Sequence, residues 1–163
     1  MSEEFSRFDL KILEEVQKDC STSTTDLAAR VGLSQSPCWR RLQRLKDEGY
    51  IKRQVAILDR SKLGPSLYIF AFLKMTTLTE KQRAEFMRTI ELTPEILECH
   101  TVFGEMDIIL KVLARSLEWY QQFIFETILK LPGVQDIQST VTLVELKSTT
   151  EIPLADLPAQ LVD

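Results

Sequence analysis

Two stretches in the second half of this chain repeat one another at a spacing of 38 residues (Pro94 to Pro132), which narrows the fold more than any other feature. Glu80 aligns with Glu118, Phe86 with Ile124, Ile90 with Ile128, Pro94 with Pro132 and Ile96 with Val134. Each copy places a helical apolar period between two extended apolar runs. The first predicts a strand at 67–75, a helix at 80–91 with Ala84, Met87 and Ile90 facing inward, and a strand at 96–103. The second predicts a strand at 107–113, a helix at 117–131 and a strand at 134–147. A duplicated strand–helix–strand unit is the ferredoxin-like βαββαβ plan. Both alternating sets of the first strand are apolar, Leu67, Ile69, Ala71 and Leu73 on one side and Tyr68, Phe70 and Phe72 on the other. Two helices cover only one face of such a sheet, so a second copy of the chain is expected on the other.

Before residue 50 the apolar period is helical. Leu10, Ile12, Leu13 and Val16 form one face of a first helix starting near Ser6, with Asp9 in the capping position. The run from Ser21 to Thr25 supplies a cap for a second helix at 26–31. Gly32, Leu33 and Ser34 make a tight turn, and a third helix follows, ending at Gly49. Three short helices with a glycine turn before the last fit a helix-turn-helix. Residues 50–58 read as extended, and Gly64-Pro65 marks the domain boundary. The expected class is α+β, with a helix-turn-helix (winged-helix-like) domain at 1–50 and a hinge strand and linker at 51–66. A ferredoxin-like oligomerisation domain at 67–154 and a tail at 155–163 complete the scheme.

Composition sets the function classes. An apolar share of 44% with 27% charge belongs to a folded chain rather than a disordered one. The acidic start, Met1-Ser2-Glu3-Glu4, is followed by no apolar core, so no signal peptide is expected. The apolar run at 68–73 is too short for a membrane span. A cytoplasmic protein with no membrane partner is the expectation. Cys20, Cys38 and Cys99 are scattered and His100 is the single histidine, which argues against a metal site or a disulfide framework. Neighbours in a strand point to opposite faces, so Cys99 and His100 make no nucleophile–base pair. Neither an enzyme nor a cofactor is expected.

The net charge of −4 looks wrong for a partner of nucleic acid until it is split. Residues 1–60 carry 11 Lys/Arg and 10 Asp/Glu, whereas residues 61–163 carry 9 and 14. Arg40, Arg41, Arg44, Lys46, Lys52 and Arg53 cluster against only Asp47 and Glu48, and local field decides whether phosphate is attracted. On the helical wheel Cys38, Leu42 and Leu45 share the packing face of the third helix. Ser36, Arg40 and Gln43 lie opposite, flanked by Trp39 and Arg44. Arginine and glutamine match guanine and adenine edges, so this is a major-groove face for double-stranded DNA. Ser34 or Ser36 caps the helix, Pro37 is tolerated in its first turn, and Arg41 is expected to reach phosphate.

Three motifs carry a resemblance to the Lrp/AsnC (feast/famine, leucine-responsive regulatory protein) family of transcription regulators. They are Phe8-Asp9-Leu10-Lys11-Ile12-Leu13, the segment Leu33-Ser34-Gln35-Ser36-Pro37-Cys38-Trp39-Arg40-Arg41-Leu42, and Gly104-Glu105-Met106-Asp107. The resemblance implies a regulator of amino-acid metabolism that forms dimers assembling further, to tetramers or octamers, with an amino acid bound between dimers. It implies DNA contacts from Ser34, Gln35, Ser36, Trp39, Arg40, Arg41, Gln43 and Arg44. It implies effector contacts from His100, Gly104, Glu105, Met106, Asp107, Leu117, Thr140 and Thr142. Gly104 would allow close approach of the ligand, and Asp107 would pair with its α-ammonium group. Pro37-Cys38-Trp39 resembles a subset linked to cysteine detoxification, which places cysteine beside leucine, methionine and other small amino acids as effectors. The alternative is an architectural protein that wraps DNA with weak sequence preference.

Overall fold

The computed structural model describes residues 5–154 and divides the chain into two compact units. One comprises residues up to Ile57 together with the segment from Lys147, and the other runs from Leu58 to Leu146. The linker residues 58–66 therefore belong with the sheet, and the last described residues belong with the helices. The Gln17 side chain fixes that segment by donating to the Ile152 carbonyl (2.9 Å) and accepting from its N–H (2.8 Å). The expected tail at 155–163 lies outside the described residues. No described helix is long and apolar enough to cross a membrane.

The first unit holds three helices, α1 (Arg7–Lys18), α2 (Thr24–Val31) and α3 (Gln35–Asp47). Ser6 is the N-cap of α1, and Asp9 stands three places in, where it closes a capping box with Ser6 rather than capping the helix itself. Ser23 caps α2 by accepting from the Asp26 N–H, two residues earlier than the predicted start at 26. Gly32 ends α2 at φ +75°, the left-handed conformation that turns the chain into α3. Ile12, Leu27, Ala28, Val31, Cys38, Leu42 and Leu45 form the core. Phe5 stacks on Tyr50 with ring centroids 5.0 Å apart, holding the start of the unit against the end of its third helix. Residues 52–58 are extended but pair with no strand among the described residues.

The second unit orders its elements as β1 (Leu67–Met75), α4 (Glu80–Leu92), β2 (Ile96–Thr101), β3 (Ile108–Ala114), α5 (Leu117–Glu126) and β4 (Val134–Val141). The sheet is antiparallel in the order β2-β3-β1-β4, the ferredoxin-like arrangement. Ile69, Ala71 and Leu73 of β1 and Leu110, Val112 and Ala114 of β3 are fully buried against the helices. The inward face of α4 differs from expectation: Phe86 and Ile90 are buried, whereas Ala84 and Met87 are exposed. Two positions at i and i+4 suffice to cover the narrow groove beside the central strands, and Ala84 lies well round the helix from Phe86. The counterpart of Phe86 in the core is Phe123, one place before the Ile124 that the repeat aligns with it.

The predicted helix at 117–131 breaks after Glu126 and resumes as a 3₁₀ turn, Ile128–Lys130, which swings Ile128 into full burial. The last strand stops at Val141, short of 147. Thr142 still reaches the Tyr68 carbonyl through its N–H (2.9 Å), one residue from the start of β1 at Leu67. The predicted strand at 96–103 stops at Thr101, because Val102 already closes the hairpin through the Asp107 carbonyl.

Gly133 follows Pro132 at φ +78°, and a Cβ there would collide with the Leu78 side chain. Its carbonyl accepts from the Thr76 N–H at 2.7 Å, so the turn cannot move aside cheaply. Gly133→Ala is expected to destabilise the second unit by about 2 kcal/mol from the left-handed conformation and crowding together. Urea denaturation should give a lower midpoint at an unchanged slope.

Candidate nucleic-acid interface and effector site

The face of α3 opposite its core residues carries Gln35, Ser36, Trp39 and Arg40, all exposed, with Gln43 half-buried beside them. Ser34 is the N-cap by backbone geometry, yet its side chain makes no capping hydrogen bond. Pro37 lacks an N–H, so the first turn presents the N–H groups of Gln35 and Ser36 outward, an arrangement suited to phosphate. Trp39 is 52% exposed and contributes nothing to the core. With Thr24, Gln35 and Ser36 it lines a shallow groove of about 260 Å³ where the starts of α2 and α3 meet. Thr24 was not singled out in the sequence; its place as the first residue of α2, next to the turn, is the signal that would have found it.

Arg41 and Arg44, both expected among the DNA contacts, are paired within the unit. Both reach Asp9, the only buried charged residue among those described. Arg41 Nη1 lies 3.1 Å from Asp9 Oδ2, and Arg44 Nη2 lies 2.8 Å from the same oxygen. Ser6 donates to that carboxylate through its N–H at 2.7 Å and its hydroxyl at 2.8 Å. Burial works to raise the Asp9 pKa, but the Ser6 and Arg41 donors and the Arg44 charge outweigh it and hold the carboxyl below the ordinary aspartate range. The sequence did carry a hint. Arg41 lies close to the packing line of α3, where a guanidinium needs a partner, and Ser6-x-x-Asp9 is the spacing of a capping box.

In the second unit, the loop at 102–107 joins β2 to β3. The Asp107 carboxylate accepts from the Met75 N–H (2.8 Å) and pairs with Lys74 Nζ (3.3 Å), which also donates to the Glu105 carbonyl (2.7 Å). The Met75 bond is the main reason its pKa is lowered. Asp107 thus ties the loop to the end of β1, with 40% of its side chain still exposed. Gly104 has no neighbour within 4 Å of where a Cβ would stand, so nothing in the chain itself demands a glycine there.

His100 is exposed on edge strand β2, where its Nε2 lies 3.2 Å from Glu98, which also pairs with Lys111 at 2.9 Å. Cys99 faces the other way into the core, and burial pushes its thiol pKa up, so the two do not meet as a catalytic pair. Thr140 is on the opposite edge strand, β4, in the row Glu98–Lys111–Phe70–Thr140. Three strand spacings separate the two edges, about 14 Å. Leu117 begins α5, at the end of β3 away from the 102–107 loop, and Thr142 is held at that end too by the Tyr68 carbonyl. One chain therefore gathers residues 104–107 and leaves His100, Thr140, Thr142 and Leu117 spread over the sheet.

A helix-turn-helix with an exposed polar and cationic recognition face, joined to a ferredoxin-like ligand-binding unit, defines an effector-type transcription regulator. A sequence model of the Lrp/AsnC ligand binding domain matches residues 69–152, and one of a winged helix-turn-helix DNA-binding domain matches residues 5–52. The chain is 38% identical over 148 residues to the proline dehydrogenase transcriptional activator of Rhizobium radiobacter, covering 91% of this chain and 95% of that one. It is 34% identical to the leucine-responsive regulatory protein of Escherichia coli K12, covering 91% of each. A crystal structure of a Neisseria meningitidis transcriptional regulator in complex with L-Met superposes with a TM-score of 0.86 at 33% identity, covering 92% of this chain and 97% of that one. An AsnC family regulator from Agrobacterium tumefaciens superposes at 0.85, also at 33% identity, covering 91% and 97%. The chain belongs to the Lrp/AsnC family of transcription regulators.

Removing the buried carboxylate should cost the helical unit stability. Asp9→Ala leaves two guanidinium groups without their shared partner, and breaking a buried pair in this way costs about 3–5 kcal/mol. Because the folded pKa of Asp9 is depressed, its contribution is complete above the ordinary aspartate range and is lost as pH falls through the folded value. Thermal melts of the chain and the variant from neutral to acid pH should therefore converge as the medium is acidified.

Proposed function

We propose that this chain is a local, sequence-specific regulator of amino-acid metabolism that acts in the cytoplasm. Its α3 enters the major groove, and a small amino acid bound near residues 104–107 adjusts its affinity for DNA. The observation that carries this reading is the exposed face of α3, where Gln35, Ser36, Trp39, Arg40 and Gln43 remain outward while Arg41 and Arg44 are engaged elsewhere. Arg40 and Gln43 are the base readers, and Ser36 with the uncapped first turn positions the phosphate backbone.

The effector site takes residues from more than one copy. Residues 104–107 form one wall, and His100, Leu117, Thr140 and Thr142 come from neighbouring chains, since no single chain brings them together. A second copy on the outer sheet face fits this reading. Phe70, Phe72, Ile109 and Leu113 are half-buried there, with Glu98, Lys111, Gln138 and Thr140 around them, the apolar centre and polar rim of an interface. Dimers that assemble further would complete the site. Leucine, methionine and cysteine are the first effectors to test, and the L-Met complex of the Neisseria meningitidis relative puts methionine at the head.

Arg40→Ala should weaken binding to a duplex selected from a random pool by about 1–3 kcal/mol and leave binding to a scrambled duplex almost unchanged. Equal loss on both duplexes would remove Arg40 as a base reader, and a long footprint without sequence preference would indicate DNA wrapping instead. In a thermal-shift screen of the twenty amino acids, the effector present at about 100 Kd should add about 2.7 kcal/mol of stability. Asp107→Asn keeps an acceptor for the Met75 N–H but loses the charge. It should abolish that shift while DNA affinity holds; a full shift in this variant would exclude an ammonium–carboxylate contact.

A further inference from the structure

The buried cluster in the first unit joins one carboxylate to two guanidinium groups. Asp9 has no solvent exposure, and both its oxygens lie within 3.2 Å of Arg41 Nη1. Arg44 approaches at 2.8 Å. Arg41 and Arg44 stand one turn apart on α3, interleaved in sequence with Arg40 and Gln43. An oxyanion held by two arginines is the same chemistry as a DNA phosphate gripped by two arginines.

We propose that Asp9 is a specificity-determining residue that acts as an internal substitute for phosphate. It occupies Arg41 and Arg44, which border the base-reading face and would otherwise grip the backbone of any duplex. This inference rests on the reading of α3 as the recognition helix. Contacts to phosphate supply the sequence-independent part of affinity, and each adds about 0.9 to the slope of log K against log salt. Two such contacts bind every competing site equally well, so occupying both arginines internally widens the ratio of specific to non-specific binding. The side chains of Arg41 and Arg44 remain 23% and 15% exposed, so the cluster still contributes its excess positive charge to the local field. A purely structural tie between α1 and α3 makes the opposite forecast, because loosening it would weaken binding to all DNA.

The experiment measures fluorescence anisotropy on two duplexes from about 50 to 200 mM salt. One duplex is selected from a random pool by the wild-type chain, and the other is its scrambled counterpart. Arg41→Gln and Arg44→Gln, each leaving Asp9 one partner, should keep the wild-type salt slope on both duplexes. A fall of about 0.9 in either variant means that the arginine touches phosphate in the complex and overturns the proposal. Asp9→Asn removes the charge that Arg41 and Arg44 share. It should bind the scrambled duplex at least about tenfold more tightly at low salt, with a slope steeper by up to about two. An unchanged slope in a folded Asp9→Asn chain, or weaker binding to both duplexes, overturns the proposal. Should circular dichroism show that Asp9→Asn does not fold, the two arginine variants decide alone. Arg40→Gln separates the two readings: if it retains full preference for the selected duplex, α3 is not the reading helix, whatever the Asp9 series returns.

Discussion

Alternation along β1 is the constraint on which the second unit depends. This strand lies between β3 and β4, so every residue from Ile69 to Leu73 has a partner on both sides. Its odd positions, Ile69, Ala71 and Leu73, are fully buried beneath α4 and α5, and a slip of one residue would turn them outward. Its even positions, Tyr68, Phe70 and Phe72, make the opposite face. Its last residues, Lys74 and Met75, hold Asp107 and with it the loop expected to meet the effector. Core, outer face and loop are thus set by the register of one strand.

The outer face is less apolar than the strand alone suggests. Tyr68 has the Arg60 guanidinium 4.3 Å from its ring centroid and Lys111 Nζ 4.8 Å away, so cations already cover part of it. Glu98 on edge strand β2 pairs with Lys111 of β3 and lies beside the His100 ring. A partner copy would bury Phe70, Phe72 and Ile109 at the centre and leave these charges at the margin. Such an interface leaves the 102–107 loop and the β4 edge open to further copies, which the proposed effector site needs. An effector that binds only where copies meet is linked to assembly, and linkage is reciprocal: DNA that favours one assembly also changes effector affinity.

Periodicity made the architecture legible. Helical spacing before residue 50, alternation after 67 and the 38-residue repeat each follow from local geometry, and the helix-turn-helix and the sheet topology came out accordingly. The misses have a common cause, which is that they depend on distant partners. Ala84 and Met87 look inward on a wheel, but the groove beneath α4 accepts only Phe86 and Ile90. The final strand looks long because Leu143, Val144 and Leu146 continue its apolar pattern, yet it ends at Val141, close to the start of its partner strand β1. The pairing of Arg41 and Arg44 with Asp9 was hidden too, because Asp9 lies some thirty residues earlier and no local window joins them. The candidate site was legible as a set of residue types on α3, and its division into outward and inward cations was not.

That division bears on how an acidic chain can select one DNA sequence. The net charge of −4 gives little general attraction to a polyanion, and the basic cluster on and after α3 is the exception. If all of its cations reached phosphate, affinity would be high on any duplex, and the few bidentate contacts from Arg40 and Gln43 would add only a modest margin. On the proposed reading, holding Arg41 and Arg44 on Asp9 would shrink the sequence-independent part and leave the base contacts untouched. A dimer would recover affinity by presenting two recognition helices at once, which multiplies specific binding far more than non-specific binding when the half-sites match the spacing. On the proposed reading, a sheet face that recruited a second copy and the carboxylate that occupies two arginines would serve one end, and neither would yield a selective regulator alone.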